Sequence, residues 1–155
     1  MLNKEARNEV ETLATNAQLN PAALMAVVDV ESGGKVFASV NGKQEPLIRF
    51  EGHYFYRLLG AAKRNRAVAN GLADRRFGKI KNPRSQKGRW KLLKRAKAID
   101  NQAALQSTSW GVGQVMGSHW RWLEYASVDA IQVSADTLSV LIRRIRRFST
   151  PEPVS

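Results

Sequence analysis

Apolar residues at three- and four-residue steps run through most of this sequence, and Asn41-Gly42 breaks that pattern most sharply. A tight two-residue hairpin turn needs positive φ at both central positions, which Asn-Gly supplies. Strands are therefore expected on either side, over Val36 to Val40 and Gln44 to Phe50, with Pro46 tolerable only on an edge. Upstream, Leu2, Ala6, Val10, Leu13, Ala14 and Ala17 share one face of an amphipathic helix. Asn20-Pro21 reads as an N-cap with proline in the first turn. The helix that it opens, Ala22 to about Glu31, is apolar nearly all round (Leu24, Met25, Val27, Val28, Val30) and is expected to be central and buried. Ser32-Gly33-Gly34 stops it, because glycine takes the left-handed conformation used at helix ends.

Downstream, a helix is expected from Tyr54 to about Ala69 and another starting at Trp90, Leu92 and Leu93. The stretch Ala103 to Trp110 leads into Gly111 to Gly117, expected as a short helix entered through glycines. Ala135 to Phe148 places Leu138, Leu141, Ile142, Ile145 and Phe148 on one helical face, and Thr150 to Ser155 reads as a frayed tail. The fold class is mainly α with a small β-hairpin. At 155 residues and 43% hydrophobic, one domain with a sizeable core is expected, as a monomer.

The sequence has no cysteine and only two histidines, His53 and His119, which excludes disulfides, thiol nucleophiles and a multi-histidine metal centre. No cofactor is expected. No run of about 18 apolar residues is present, and Met1 to Glu5 is polar without the apolar core of a secretory signal. Synthesis in the cytoplasm without a signal peptide is the expectation. Charge is the unusual feature: 25 Lys and Arg against 13 Asp and Glu give +12. Between Lys63 and Lys97 stand fourteen basic residues and one acid, Asp74. Such an excess favours polyanionic partners. Nucleic acid is disfavoured among them, because only Phe77 and Trp90 interleave the charges and no helix-turn-helix or zinc-finger pattern occurs. In the last helix, Arg143, Arg144, Arg146 and Arg147 surround the apolar face, a pattern suited to anionic membrane or lipopolysaccharide contact. Docking of that face onto the core is the alternative.

Two clusters could carry chemistry. Glu31 lies in the last turn of its helix, where apolar neighbours and the negative helix end would both favour the protonated acid. A carboxyl kept protonated near neutrality is what a general acid for glycosidic cleavage requires. In Ser107 to Gly117, glycines spaced closely allow backbone to approach another helix or a ligand. Gln114 offers an amide there, and Trp110 a flat face for a sugar ring or a core anchor.

Val28-Asp29-Val30-Glu31-Ser32-Gly33-Gly34, followed by Ser109-Trp110-Gly111-Val112-Gly113-Gln114, resembles the E-S-G-G and S-x-G-x-x-Q elements of the lysozyme-like superfamily. Between them, Phe50-Glu51-Gly52-His53-Tyr54-Phe55 is similar to the F-E-x-H-x-F segment of the N-acetylmuramidase family of phage endolysins. The resemblance covers roughly Pro21 to Ala126 and implies a lysozyme-like α+β fold. It implies cleavage of the β-1,4 bond between N-acetylmuramic acid and N-acetylglucosamine in peptidoglycan, with Glu31 as general acid. A lytic transglycosylase, or a cationic glycan- or nucleic-acid-binding protein without catalysis, is the alternative. Ser32, Gly33, Ser109, Trp110, Gly111 and Gln114 would line the cleft, and Glu51 is a possible second carboxylate. The catalytic domain is expected over residues 1–135, with 136–155 as a basic helix and tail. Where family members carry a Y-N-G element, this sequence has Leu141 to Phe148 instead. Action on the cell wall after release from the cytoplasm is the corresponding expectation.

Overall fold

Helix α1 (Lys4–Asn16) begins where Asn3 Oδ1 accepts the Ala6 amide at 2.8 Å, and it buries Ala6, Val10 and Ala14. Helix α2 (Pro21–Ser32) is capped the same way, Asn20 Oδ1 accepting from Ala23, and Gly33 closes it with φ at 59°. This structure, a computed structural model, describes residues 2–33, 35–134 and 138–149. Gly34, the side chain of Ser32 and the expected tail over 150–155 lie outside the described residues. The expectation that α2 is central is corrected. Leu24 and Val28 are buried, but Val27 is 39% and Val30 82% exposed. One helix face packs on α1, and the apolar residues that continue around the cylinder have no second layer to meet.

The hairpin forms as β1 (Phe37–Val40) and β2 (Lys43–Pro46), with Asn41 and Gly42 at φ 51° and 77°. Its second strand ends earlier than expected. Ile48–Phe50 is a separate strand, β3, which pairs antiparallel with β4 (Thr108–Trp110), and β4 pairs with β5 (Val115–Met116). Pro46 lacks the N–H that would continue the hairpin ladder, and Leu47 instead gives its carbonyl to the Gly111 amide at 2.9 Å. The glycine-rich stretch is thus a strand, a turn, a strand and then a 3-10 turn at Gly117–His119, not a helix. A Cβ on Gly117 would run into the Leu105 carbonyl, so only glycine lets this return pass so close.

The single helix expected over Tyr54 to Ala69 is two, α3 (Gly52–Leu58) and α4 (Ala61–Ala69). Arg64 satisfies the carbonyls left at the break, donating to Tyr56 O and Leu59 O. Helices α5 (Gln86–Ile99), α6 (Asn101–Gln106), α7 (Val128–Ser134) and α8 (Ser139–Ser149) complete the order. One apolar cluster surrounds Ile48, Phe50 and Trp110 with α3 to α7; a second joins α1, α2, Val36, Val112 and α8.

Helix α8 joins that second cluster through buried Leu141 and Ile142, with Leu138 just before it, and the first through Val140. Its arginines reach backbone: Arg143 donates to Leu123 O and Glu124 O, Arg146 to Ala17 O, and Arg147 to Trp122 O. Of the expected apolar face, Leu138, Leu141 and Ile142 are buried against the protein and Ile145 is half-buried. Residues 135–137, the expected start of this helix, and the Phe148 side chain lie outside the described residues.

Among the described residues no fourth strand pairs with the outer edge of β3. Asn82 Oδ1 accepts from Phe50 N at 3.0 Å while its Nδ2 donates to Phe50 O at 2.6 Å. Gln86 does the same for Ile48, at 3.0 Å and 3.4 Å. Two side-chain amides thus complete the ladder. Replacing Asn82 by Ala leaves a partly buried donor and acceptor unpaired, and a loss of about 2 kcal/mol is expected from urea midpoints. Exposed Arg84→Ala, its neighbour, is expected to stay within about 0.5 kcal/mol.

Candidate active site

Helix α6 aims the chain into β4. Asp100 caps it, accepting from Ala103 N at 2.9 Å and from Lys63 Nζ at 2.8 Å. These partners, the Ala103 amide first, hold the Asp100 carboxyl below the ordinary carboxylate range. Beyond the helix, three side chains donate back into it: Ser107 Oγ to Ala103 O, Thr108 Oγ1 to Ala104 O, and Trp110 Nε1 to Leu105 O. Trp110 is fully buried, edge-on to Trp90 with ring centroids 6.0 Å apart.

Three residues expected in the cleft are buried. Trp110 offers no face to a sugar, Ser109 is buried with its hydroxyl on Met116 Sδ at 3.1 Å, and Gly111 is buried in the turn. Among the residues of that motif expected in the cleft, Gln114 reaches the surface. Its Nε2 donates to Gly111 O at 2.7 Å and Leu47 O at 3.3 Å, bracing the turn and leaving the amide oxygen for a ligand.

Gln114 opens onto a groove of about 450 Å³ that Val115, Met116, His119, Trp122 and Arg144 complete. Trp122 is half-buried and meets His119 in a T-shaped contact, and Arg144 donates to Gly113 O at 2.6 Å. The sequence reading missed this wall. Its one local signal was the crowding of His119, Trp120 and Trp122 directly after the glycine motif.

Glu31 stands exposed in the last turn of α2, and among the described residues no cation pairs with it. The desolvation expected from Val27 and Val30 is absent, since both are exposed. Val28, one turn earlier on the face of Glu31, is fully buried in the same cluster as Val112. The end of α2 and the Gly111–Gln114 turn thus each place a residue in one apolar cluster, shared with α1 and α8. Exposed Gly33 follows Glu31 as the helix cap.

Glu51 belongs to a different junction. It accepts from Arg49 Nε at 3.0 Å, lies 3.6 Å from the buried His53 Nδ1, and its amide donates to Ser107 O at 2.8 Å. Its carbonyl accepts from Tyr54 N and Phe55 N, so the residue braces the bend from β3 into α3.

Residues 20–146 match the model of the N-acetylmuramidase family. The chain belongs to that family. The crystal structure of Burkholderia AP3 phage endolysin is similar to it, with a TM-score of 0.70 and 30% sequence identity. The likeness covers 92% of this chain and 55% of that one, so the chain spans about half of the endolysin's length. No curated protein matches the sequence. The lysozyme-like α+β fold is thereby established, and the muramidase match runs through α8 to residue 146, past the boundary expected near 135.

The Asp100 cap carries a pH signature. Its folded pKa is depressed, so its stabilisation is present above the unfolded value near 3.8 and is lost as pH falls through the lower folded one. Asp100→Ala is expected to cost about 1 kcal/mol at neutral pH. In urea titrations that difference should vanish in strong acid, where the wild-type carboxyl is protonated too.

Proposed function

We propose that this chain degrades peptidoglycan by hydrolysing the β-1,4 bond between N-acetylmuramic acid and N-acetylglucosamine, with Glu31 as general acid. The observation that carries the reading is the single N-acetylmuramidase match spanning both Glu31 and the Ser109–Gln114 turn. Burial of Val28 and Val112 in one apolar cluster supports it, because the elements that bear Glu31 and Gln114 then share a core. Trp122, in place of the buried Trp110, supplies the aromatic face against which a sugar ring packs, and Gln114 and His119 supply polar contacts beside it.

In the reaction Glu31 gives its proton to the glycosidic oxygen as the bond to C1 of the muramic sugar breaks. The N-acetylglucosamine 4-hydroxyl leaves, water adds its oxygen to C1, and a proton returns to the carboxylate. Glu51, held by Arg49 and packed beside His53, acts here as a brace and takes no step. The cell wall is the place of action on this reading. Among the described residues no helix is long and apolar enough to cross a membrane.

Clearing of a purified peptidoglycan suspension tests the assignment. Glu31→Gln keeps the shape and removes the proton, and its rate is expected to fall at least about a hundredfold. Undiminished clearing would overturn the role of Glu31. The mass of the released fragments tests the reaction type: hydrolysis adds one water per cut, whereas an anhydro end lighter by one water would mark a lytic transglycosylase.

A further inference from the structure

The basic excess is organised by the fold. Between the hairpin and α5 runs a groove of about 570 Å³ whose lining includes Lys43, Lys87, Lys91, Lys94 and Lys97, with Glu45 as its one acid. Lys87, Lys91 and Lys94 recur at successive turns of α5 and are exposed, so they form a ladder along one face with a rise of about 5 Å per step. Lys91 also borders a second groove of about 560 Å³ on the other side of α5, where Lys79, Lys81 and Arg95 stand and no acid does. The two grooves make one positive track across the helix.

The chemistry of the lining selects the ligand. Arginine suits planar, two-point recognition of carboxylates, whereas lysine is a compact charge that accepts phosphate from many directions. The arginines of α5 are taken up by backbone carbonyls. Arg89 donates to Pro83 O and Ile48 O, and Arg95 to Asn70 O, while the ladder in the first groove is lysine throughout. Stacking of bases is poorly served: Trp90, the aromatic residue of the groove, is half-buried, edge-on to Trp110, and bonded through Nε1 to Pro46 O. Single-strand binding normally rests on open aromatic platforms.

We infer that the Lys43–Lys97 groove is a binding site for a linear, base-free phosphodiester polymer of the cell envelope. It holds the protein to its target surface away from the bond to be cut. The track takes successive phosphates as point charges, so affinity falls steeply with salt through counterion release.

Fluorescently labelled inorganic polyphosphate is the probe, titrated with the full chain at two salt concentrations. Lys91→Glu/Lys94→Glu is compared with Lys4→Glu/Arg7→Glu, an equal charge change at exposed positions of α1. Polyphosphate affinity is expected to drop at least about tenfold for the groove pair and less than about threefold for the α1 pair. Equal losses in both would show that net charge alone binds and would overturn the site. Poly-glutamate, single-stranded DNA, or vesicles of phosphatidylglycerol and phosphatidylcholine form the other arms. Binding of any of them as tight as polyphosphate, and equally sensitive to the groove pair, would overturn the phosphodiester assignment in favour of that class. Lys91→Gln/Lys94→Gln, which removes charge without reversing it, is expected to show an intermediate loss with an unchanged melting temperature. Glu31→Gln is expected to bind polyphosphate as wild type does, which separates this site from the fate of the catalytic assignment.

Discussion

Strand β3 is held from both sides, and most of the functional geometry depends on it. On one edge it pairs with β4, setting Ile48 opposite Trp110; on the other, the side-chain amides of Asn82 and Gln86 take the place of a strand. A three-residue strand has few ladder bonds of its own. Leaving one edge open inside the fold would strand backbone groups that need partners. By closing that edge with side chains, the segment before α5 is drawn onto the sheet. The same few bonds therefore position the glycine turn that ends in Gln114 and the helix that carries the lysine ladder.

Much of the local architecture was legible. Asn20 caps α2 by accepting a backbone amide, as its place before Pro21 implies, and Asn41-Gly42 turns the hairpin because both positions take positive φ; the Ser85 cap, which starts α5 four residues before the expected Trp90, went unread. What failed was long-range. The partner of β3 lies nearly sixty residues away, from Phe50 to Thr108 in the register, and nothing in a local window marks such a pairing. Hydropathy around α2 likewise cannot tell a buried helix from one whose apolar positions exceed the face available to cover them. Val30 is the clearest instance, apolar yet largely in solvent.

The site shows the same division. Spacing of Glu31 and the glycine motif pointed to a family, and the family match contains both. Side-chain roles within the motif were another matter. A tryptophan beside three glycines is equally a sugar platform and a core anchor; the carbonyl of Leu105 and the ring of Trp90 decide for the anchor. On the proposed reading the aromatic face passes to Trp122, which stands outside the motif and lines one groove with Gln114. Glu31 itself is open to solvent, so on the proposed reading the bound glycan supplies the dry surroundings that the free protein does not. Positive charge has a separate place, concentrated by α5 into a track of its own, while the arginines of α8 lock that helix onto backbone carbonyls.

On the proposed function, Glu31 and the Gln114–Trp122 groove serve one and the same glycan. A crystal structure of the Glu31→Gln variant with an uncleaved N-acetylglucosamine–N-acetylmuramic acid tetrasaccharide tests this most directly. The residue 31 amide is expected within hydrogen-bond distance of a glycosidic oxygen, with a neighbouring sugar ring packed on Trp122. A tetrasaccharide seated elsewhere, with residue 31 remote from every linkage, would contradict it.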